Sequence, residues 1–146
     1  GGFKNTASAN AGVFGGHENS ASGDYSVVAG GYNNTAQNTA TVTTQQDSAS
    51  VFGGHNNLAS GWRAAILGGM SNVASSNEAV VAGGFTNTAS KEGSAVFGGA
   101  RNTAAGDDAW FASVVGGDTN TASHFGSVVL GGAEETSSQT YGVTLP

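Results

Sequence analysis

A chain of 146 residues is about one domain's worth, and 25 of them are Gly, far above the usual share of about 7%. Only 10% of residues are charged, ten acids against four bases for a net charge of −6, and Lys4, Arg63, Lys91 and Arg101 stand singly along the chain, which excludes a basic patch for gripping a nucleic-acid backbone. The absence of Cys removes disulfides, thiolate metal sites and Cys nucleophiles, and no apolar run reads as a signal peptide or a membrane span, so direct membrane insertion is not expected.

Glycine doublets begin at residues 1, 15, 30, 53, 68, 83, 98, 116 and 131, with spacings of 14, 15, 23, 15, 15, 15, 18 and 15. A recurrence this short predicts a single repeat domain over 1–146, a solenoid whose units are too small to bury an apolar face alone and so must stack. Counting the first Gly as place 1, the doublet supplies a corner where a positive φ or a close backbone approach excludes a side chain. Place 3 carries Phe3, His17, Tyr32, His55, Met70 and Phe85. Place 5 is Asn in all eight complete repeats: Asn5, Asn19, Asn34, Asn57, Asn72, Asn87, Asn102 and Asn120. Two residues on stands Ala7, Ala21, Ala36, Ala59, Ala74, Ala89, Ala104 or Ala122.

Places 9–11 vary, with Tyr25, Trp62, Arg63, His124 and Phe125 among them. The residue two before each following doublet is always β-branched: Val13, Val28, Val51, Ile66, Val81, Val96, Val114 and Val129. Two before that is always Ala or Ser. Columns so restricted belong inside. Alternation around the Ala and the Val predicts two short strands per repeat and no helix. Copies stacked in parallel at about 4.8 Å make a rod about 40 Å long. The Asn column is expected at the corner opposite the glycines, its carboxamides bonding one another from coil to coil. Eight copies of one residue mark a structural column, not a catalytic one.

The residue just before each doublet runs Phe14, Ala29, Phe52, Leu67, Ala82, Phe97, Val115 and Leu130, and alternation turns it outward. With place 3 it forms an apolar ridge along one flank. Ridges of that extent are rarely left wet, so self-association is expected.

The unit G-G-x-x-N-T-A-S-G-x-x-S-V-V, nearly whole at 15–29, resembles the head repeats of trimeric autotransporter adhesins, over almost all of the chain. The resemblance implies an all-β, left-handed parallel β-roll of nine roughly 15-residue repeats, assembled as a side-by-side homotrimer. It implies display on a bacterial outer membrane, where the head binds a host protein or glycan receptor in cell adhesion. Similar repeats occur in phage and viral tail fibres, the alternative bearer. The sequence departs from the pattern at Gln37, Leu58, Val73, Ala105 and Glu135.

Two repeats are too long, by about eight residues near 37–50 and by three near 105–113. Loops extruded there are expected to carry recognition, with Trp110 and Phe111 beside Asp107 and Asp108 as an aromatic, acidic tip; the competing reading folds Trp110 back over a neighbouring coil or a partner chain. The corner residues Trp62, Arg63, His124 and Phe125 are further ligand-binding candidates.

A non-enzymatic protein without cofactor or metal is expected. His17, His55 and His124 lie in different repeats, and no Ser stands in a G-x-S-x-G setting. His17 and His55 share place 3 but stand two coils apart, about 10 Å, too far to share one ion within a chain. Calcium-binding rolls need recurrent Asp, and the acids here are irregular. A third reading is an ice-binding solenoid, from the hydroxyl pairs Thr6/Ser8, Ser20/Ser22, Thr88/Ser90 and Thr121/Ser123, rows that Gln37, Leu58, Val73 and Ala105 interrupt.

Overall fold

Each glycine doublet opens one turn of a parallel β-solenoid of nine coils. The structure, a computed structural model, describes residues 1–8, 10–37 and 48–146. Every coil contributes two strands of two residues, and no helix occurs among the described residues. The first strands, from Thr6–Ala7 to Thr136–Ser137, form one nine-stranded sheet, and the second, from Gly12–Val13 to Val143–Thr144, form the other; both run in coil order. All pairing is parallel and place-on-place, as in Thr88↔Thr103 with Ala89↔Ala104, and Val80↔Ala95 with Val81↔Val96. A third line of backbone pairing, which the periodicity did not predict, runs along place 3 from Phe3↔His17 to Asp118↔Ala133.

The core lies between the two sheets and is narrow because its residues are small. The Ala column from Ala21 to Ala122 and the Val/Ile column from Val28 to Val129 are fully buried. Each buried Val contributes roughly 1.5–3 kcal/mol, and its β-branched stem suits the extended backbone. Ala49, Ala64, Ala79 and Ala112, with Ser26, Ser94 and Ser127, fill the space beside them.

The asparagines stand at the same corner as the glycines, not opposite, and their main partners are backbone groups. Nδ2 of Asn72 donates to the carbonyl of Gly68 in its own coil and of Gly84 in the next, both at 3.0 Å. Its Oδ1 accepts the backbone N–H of Asn87 at 2.9 Å. Direct amide-to-amide contacts occur near the start, as Asn19 Nδ2 to Asn5 Oδ1 at 3.3 Å. At a corner that turns inward the glycine carbonyls lie nearer than the neighbouring carboxamide: Asn19 Nδ2 reaches those of Gly15 and Gly31 at 3.0 and 2.9 Å, against 3.3 Å to Asn5 Oδ1.

The two glycines of a doublet differ. Gly69 has a φ of +87°, and a Cβ there would meet the Gly84 carbonyl oxygen at 2.3 Å and Asn72 Nδ2 at 2.6 Å, whereas a Cβ on Gly68 would meet nothing within 4 Å. Place 4 is also left-handed, and it is filled by residues with side chains, Lys4 at φ 54°, Thr86 at 55° and Arg101 at 54° among them. The backbone N–H at place 4 bonds the place-3 carbonyl of the preceding coil, as Thr86 to Met70 at 2.9 Å, which holds a conformation such residues adopt rarely.

The long third repeat places its insertion on 38–47, outside the described residues. The insertion in the seventh coil forms an additional turn, with Asp107 and Asp108 exposed. Its neighbours close the corner with one bond from the place-12 N–H to the place-9 carbonyl, as Ser127 to His124 at 3.0 Å; coil seven makes two in tandem, Ala109 to Gly106 at 3.3 Å and Ala112 to Ala109 at 3.1 Å. The extra three residues duplicate a turn that the wall already uses, and Ala109 stays buried.

The two sheets present different outer faces. The first carries the partly exposed Thr and Ser places. The second carries Phe14 (72% exposed), Phe52, Leu67, Phe97 (57%), Val115 and Leu130, flanked across the glycine corner by the exposed Phe3, Tyr32, Met70 and Phe85. No helix of the described residues is long and apolar enough to cross a membrane.

Candidate binding corner

The corner at places 9–11 is built so that its side chains leave the coil in columns. Its place-11 residues are left-handed, with φ of 57° at Tyr25, 56° at Arg63, 58° at Phe111 and 55° at Tyr141. The place-11 N–H donates to the place-10 carbonyl of the preceding coil: Glu78 to Trp62 at 2.7 Å, Gly126 to Trp110 at 2.9 Å, Tyr141 to Phe125 at 2.8 Å. These bonds pair the corner backbone from coil to coil, and the side chains of places 10 and 11 project from it.

Two groups of corner side chains result. In the fourth coil the Arg63 guanidinium carbon lies 4.0 Å from the centre of the Trp62 ring, and Nη1 reaches Glu78 Oε1 of the next coil at 3.5 Å. Three coils on, about 14 Å along the rod, stands the aromatic group of Trp110, Phe111, Phe125 and Tyr141. Phe111 and Phe125 meet edge-to-face at 5.8 Å, and Phe125 and Tyr141 at 5.4 Å. Room for these rings comes from glycine in the coil beneath: a Cβ on Gly93 would strike the Phe111 ring at 2.4 Å, and one on Gly126 the Tyr141 ring at 2.7 Å.

A shallow cleft of about 320 Å³ opens there, lined by Asp108, Trp110, Phe125 and Thr140 from three consecutive coils. Half of Trp110 is exposed. Of the residues singled out in the sequence, the structure brings Asp108, Trp110 and Phe125 to one cleft. Phe111 stands beside it, packed on Phe125. Asp107 is exposed but is not among the lining residues. The His124 ring meets the Ser123 hydroxyl through Nδ1 at 3.2 Å, and its backbone N–H donates to the Ser127 hydroxyl at 3.2 Å. Trp62 and Arg63 form the separate pair. Thr140 and Tyr141 escaped the sequence reading, although the place-11 order Gly93, Phe111, Gly126, Tyr141 alternates glycine with a ring and marks this stretch of the corner.

Along place 3 the rings also stack, Phe3 on His17 at 5.2 Å and His17 on Tyr32 at 5.0 Å, with Tyr32 edge-on to His55 at 4.9 Å. Tyr32 thus separates the two histidines. Among the described residues no three His, Asp or Glu side chains converge as a metal site requires.

No protein-family model matches this chain, and no curated protein sequence matches it.

Proposed function

We propose that the chain is a non-enzymatic segment of a surface fibre: a left-handed roll, three copies packed side by side, displayed at a bacterial cell surface and offering its corners to a host protein or glycan receptor. The observation that carries this reading is the outer face of the second sheet. Large apolar side chains stand exposed along it from Phe14 to Leu130, and a face of that length is rarely left in water. Closed assembly of identical rods about an axis buries each ridge against its copies and leaves the Thr and Ser face and the variable corner outward. The shape suits a rigid spacer or head more than a catalyst, since its recurrent Asn column is consumed in stacking coils. The place-6 row works against the ice-binding reading, because Leu58 and Val73 pair side by side within it and would break an ordered-water template.

A virion tail fibre would use the same rod and assembly. Genomic neighbours separate the two bearers, an outer-membrane anchor in one case and tail genes in the other. Sedimentation equilibrium tests the assembly: the reading expects three times the 14.2 kDa of one chain, and a monomer across the accessible concentration range overturns it.

A further inference from the structure

We infer that the cleft of Asp108, Trp110, Phe125 and Thr140 takes a guanidinium group, the arginine side chain of a protein ligand. The molecule already contains the occupied version of this arrangement. At place 10 of the fourth coil, Trp62 has the Arg63 guanidinium over its ring, steadied by the Glu78 carboxylate. At place 10 of the seventh coil, Trp110 has the same corner backbone, yet the following residue is Phe111, turned onto Gly93 and Phe125. No Lys or Arg of the described residues stacks on Trp110. The duplicated turn brings a carboxylate, Asp108, to the rim of the same cleft, and Asp108 takes part in none of the ion pairs of the described residues. A half-exposed indole face, a second ring and an unpaired carboxylate are what a planar cation needs: ring quadrupoles attract it face-on, and a carboxylate accepts its forked N–H donors. The net charge of −6 favours approach of a basic partner over an acidic one.

A neutral sugar could also lie on Trp110, and the two chemistries part at Asp108. A sugar hydroxyl needs only an acceptor there, which an amide supplies, whereas a guanidinium needs the charge. The assignment names the partner chemistry of the corner that the fibre reading presents, and rests on that reading for its setting; the binding is measured whatever mass the chain has in solution, so either can fail alone.

The test follows the indole N–H of Trp110 by NMR in the full chain carrying Trp62→Phe, so that a single indole reports. The probes are Nα-acetyl-arginine methylamide, its lysine counterpart and methyl glucoside. The arginine probe is expected to shift the signal saturably, more tightly than the lysine probe, and less tightly as salt is raised. Asp108→Asn, with unchanged thermal melting, is expected to weaken it about fivefold, the size of one exposed charge contact. The inference is overturned by no saturable shift, by methyl glucoside or the lysine probe binding as tightly as arginine, or by Asp108→Asn binding as the parent does.

Discussion

Asn72 donates its carboxamide to the carbonyl of Gly84, one coil further along, at 3.0 Å, and with its oxygen holds the backbone N–H of Asn87 in that same coil. One side chain therefore ties its coil to the next at two points and is anchored in its own by the Gly68 carbonyl.

Asn72→Ala leaves the buried Asn87 amide without its acceptor and takes the Asn72 donor from the Gly68 carbonyl, while the Gly84 carbonyl keeps the Met70 N–H at 2.9 Å. Unsatisfied buried groups cost about 1–3 kcal/mol each, with partial relief by water, so a loss of roughly 2–4 kcal/mol is expected. Urea unfolding monitored by circular dichroism measures it. Asn72→Asp should be worse, since it sets a carboxylate against carbonyl oxygens.

The doublet should prove asymmetric. Gly69→Ala drives a Cβ into the Gly84 carbonyl at a φ that side chains avoid, while Gly68→Ala enters open space. Thermal melting is expected to fall steeply for Gly69→Ala and to stay near the parent for Gly68→Ala. Equal effects would contradict the corner geometry.

These contrasts bear on what the sequence could show. Spacing of the doublets and the invariant Asn, Ala and Val columns reveal a stacked coil, because each recurs at a fixed backbone place with fixed surroundings. Which glycine is obligatory was hidden, since both recur equally. The left-handed place 4 was hidden for the opposite reason: inter-coil backbone bonds hold it at Glu18, Thr86 and Arg101 alike, so no residue preference advertises it. The three-residue insertion in coil seven was legible as extra length, but not its tandem turn bonds. Asp108, Phe125 and Thr140 meet because coils stack, and only a register correct across three repeats brings them together.

Ser26 offers a gain. Its Oγ is buried without a hydrogen-bond partner among the described residues, whereas Ala64 and Ala79 occupy the same place in other coils. Ser26→Ala removes an unsatisfied group at almost no change in volume and is expected to stabilise by about 1 kcal/mol. A variant that unfolds earlier in urea would show that the hydroxyl has a role the packing does not reveal.

The Lys4–Glu18 pair predicts a pH dependence. The hydrogen bond from the Lys4 ammonium, at 3.3 Å, is the main cause holding the Glu18 carboxyl below its ordinary range, with His17 adding to it. A folded value below the unfolded one gives stability that is present above the unfolded value and is lost as pH falls through the folded value. The pair is exposed, so the effect is small. Lys4→Met should melt slightly below the parent at neutral pH, and the difference should vanish under acid conditions where Glu18 is protonated.

Self-association through the apolar face is tested most directly by two double variants compared in sedimentation equilibrium. Phe52→Lys with Phe97→Lys places charges on the exposed ridge of the second sheet; Thr88→Lys with Thr121→Lys places them on the hydroxyl face of the first. The parent and the threonine pair are expected to sediment at three times the mass of one chain, and the phenylalanine pair as a folded monomer with the parent's β spectrum. A phenylalanine pair that sediments as the parent does would contradict the account.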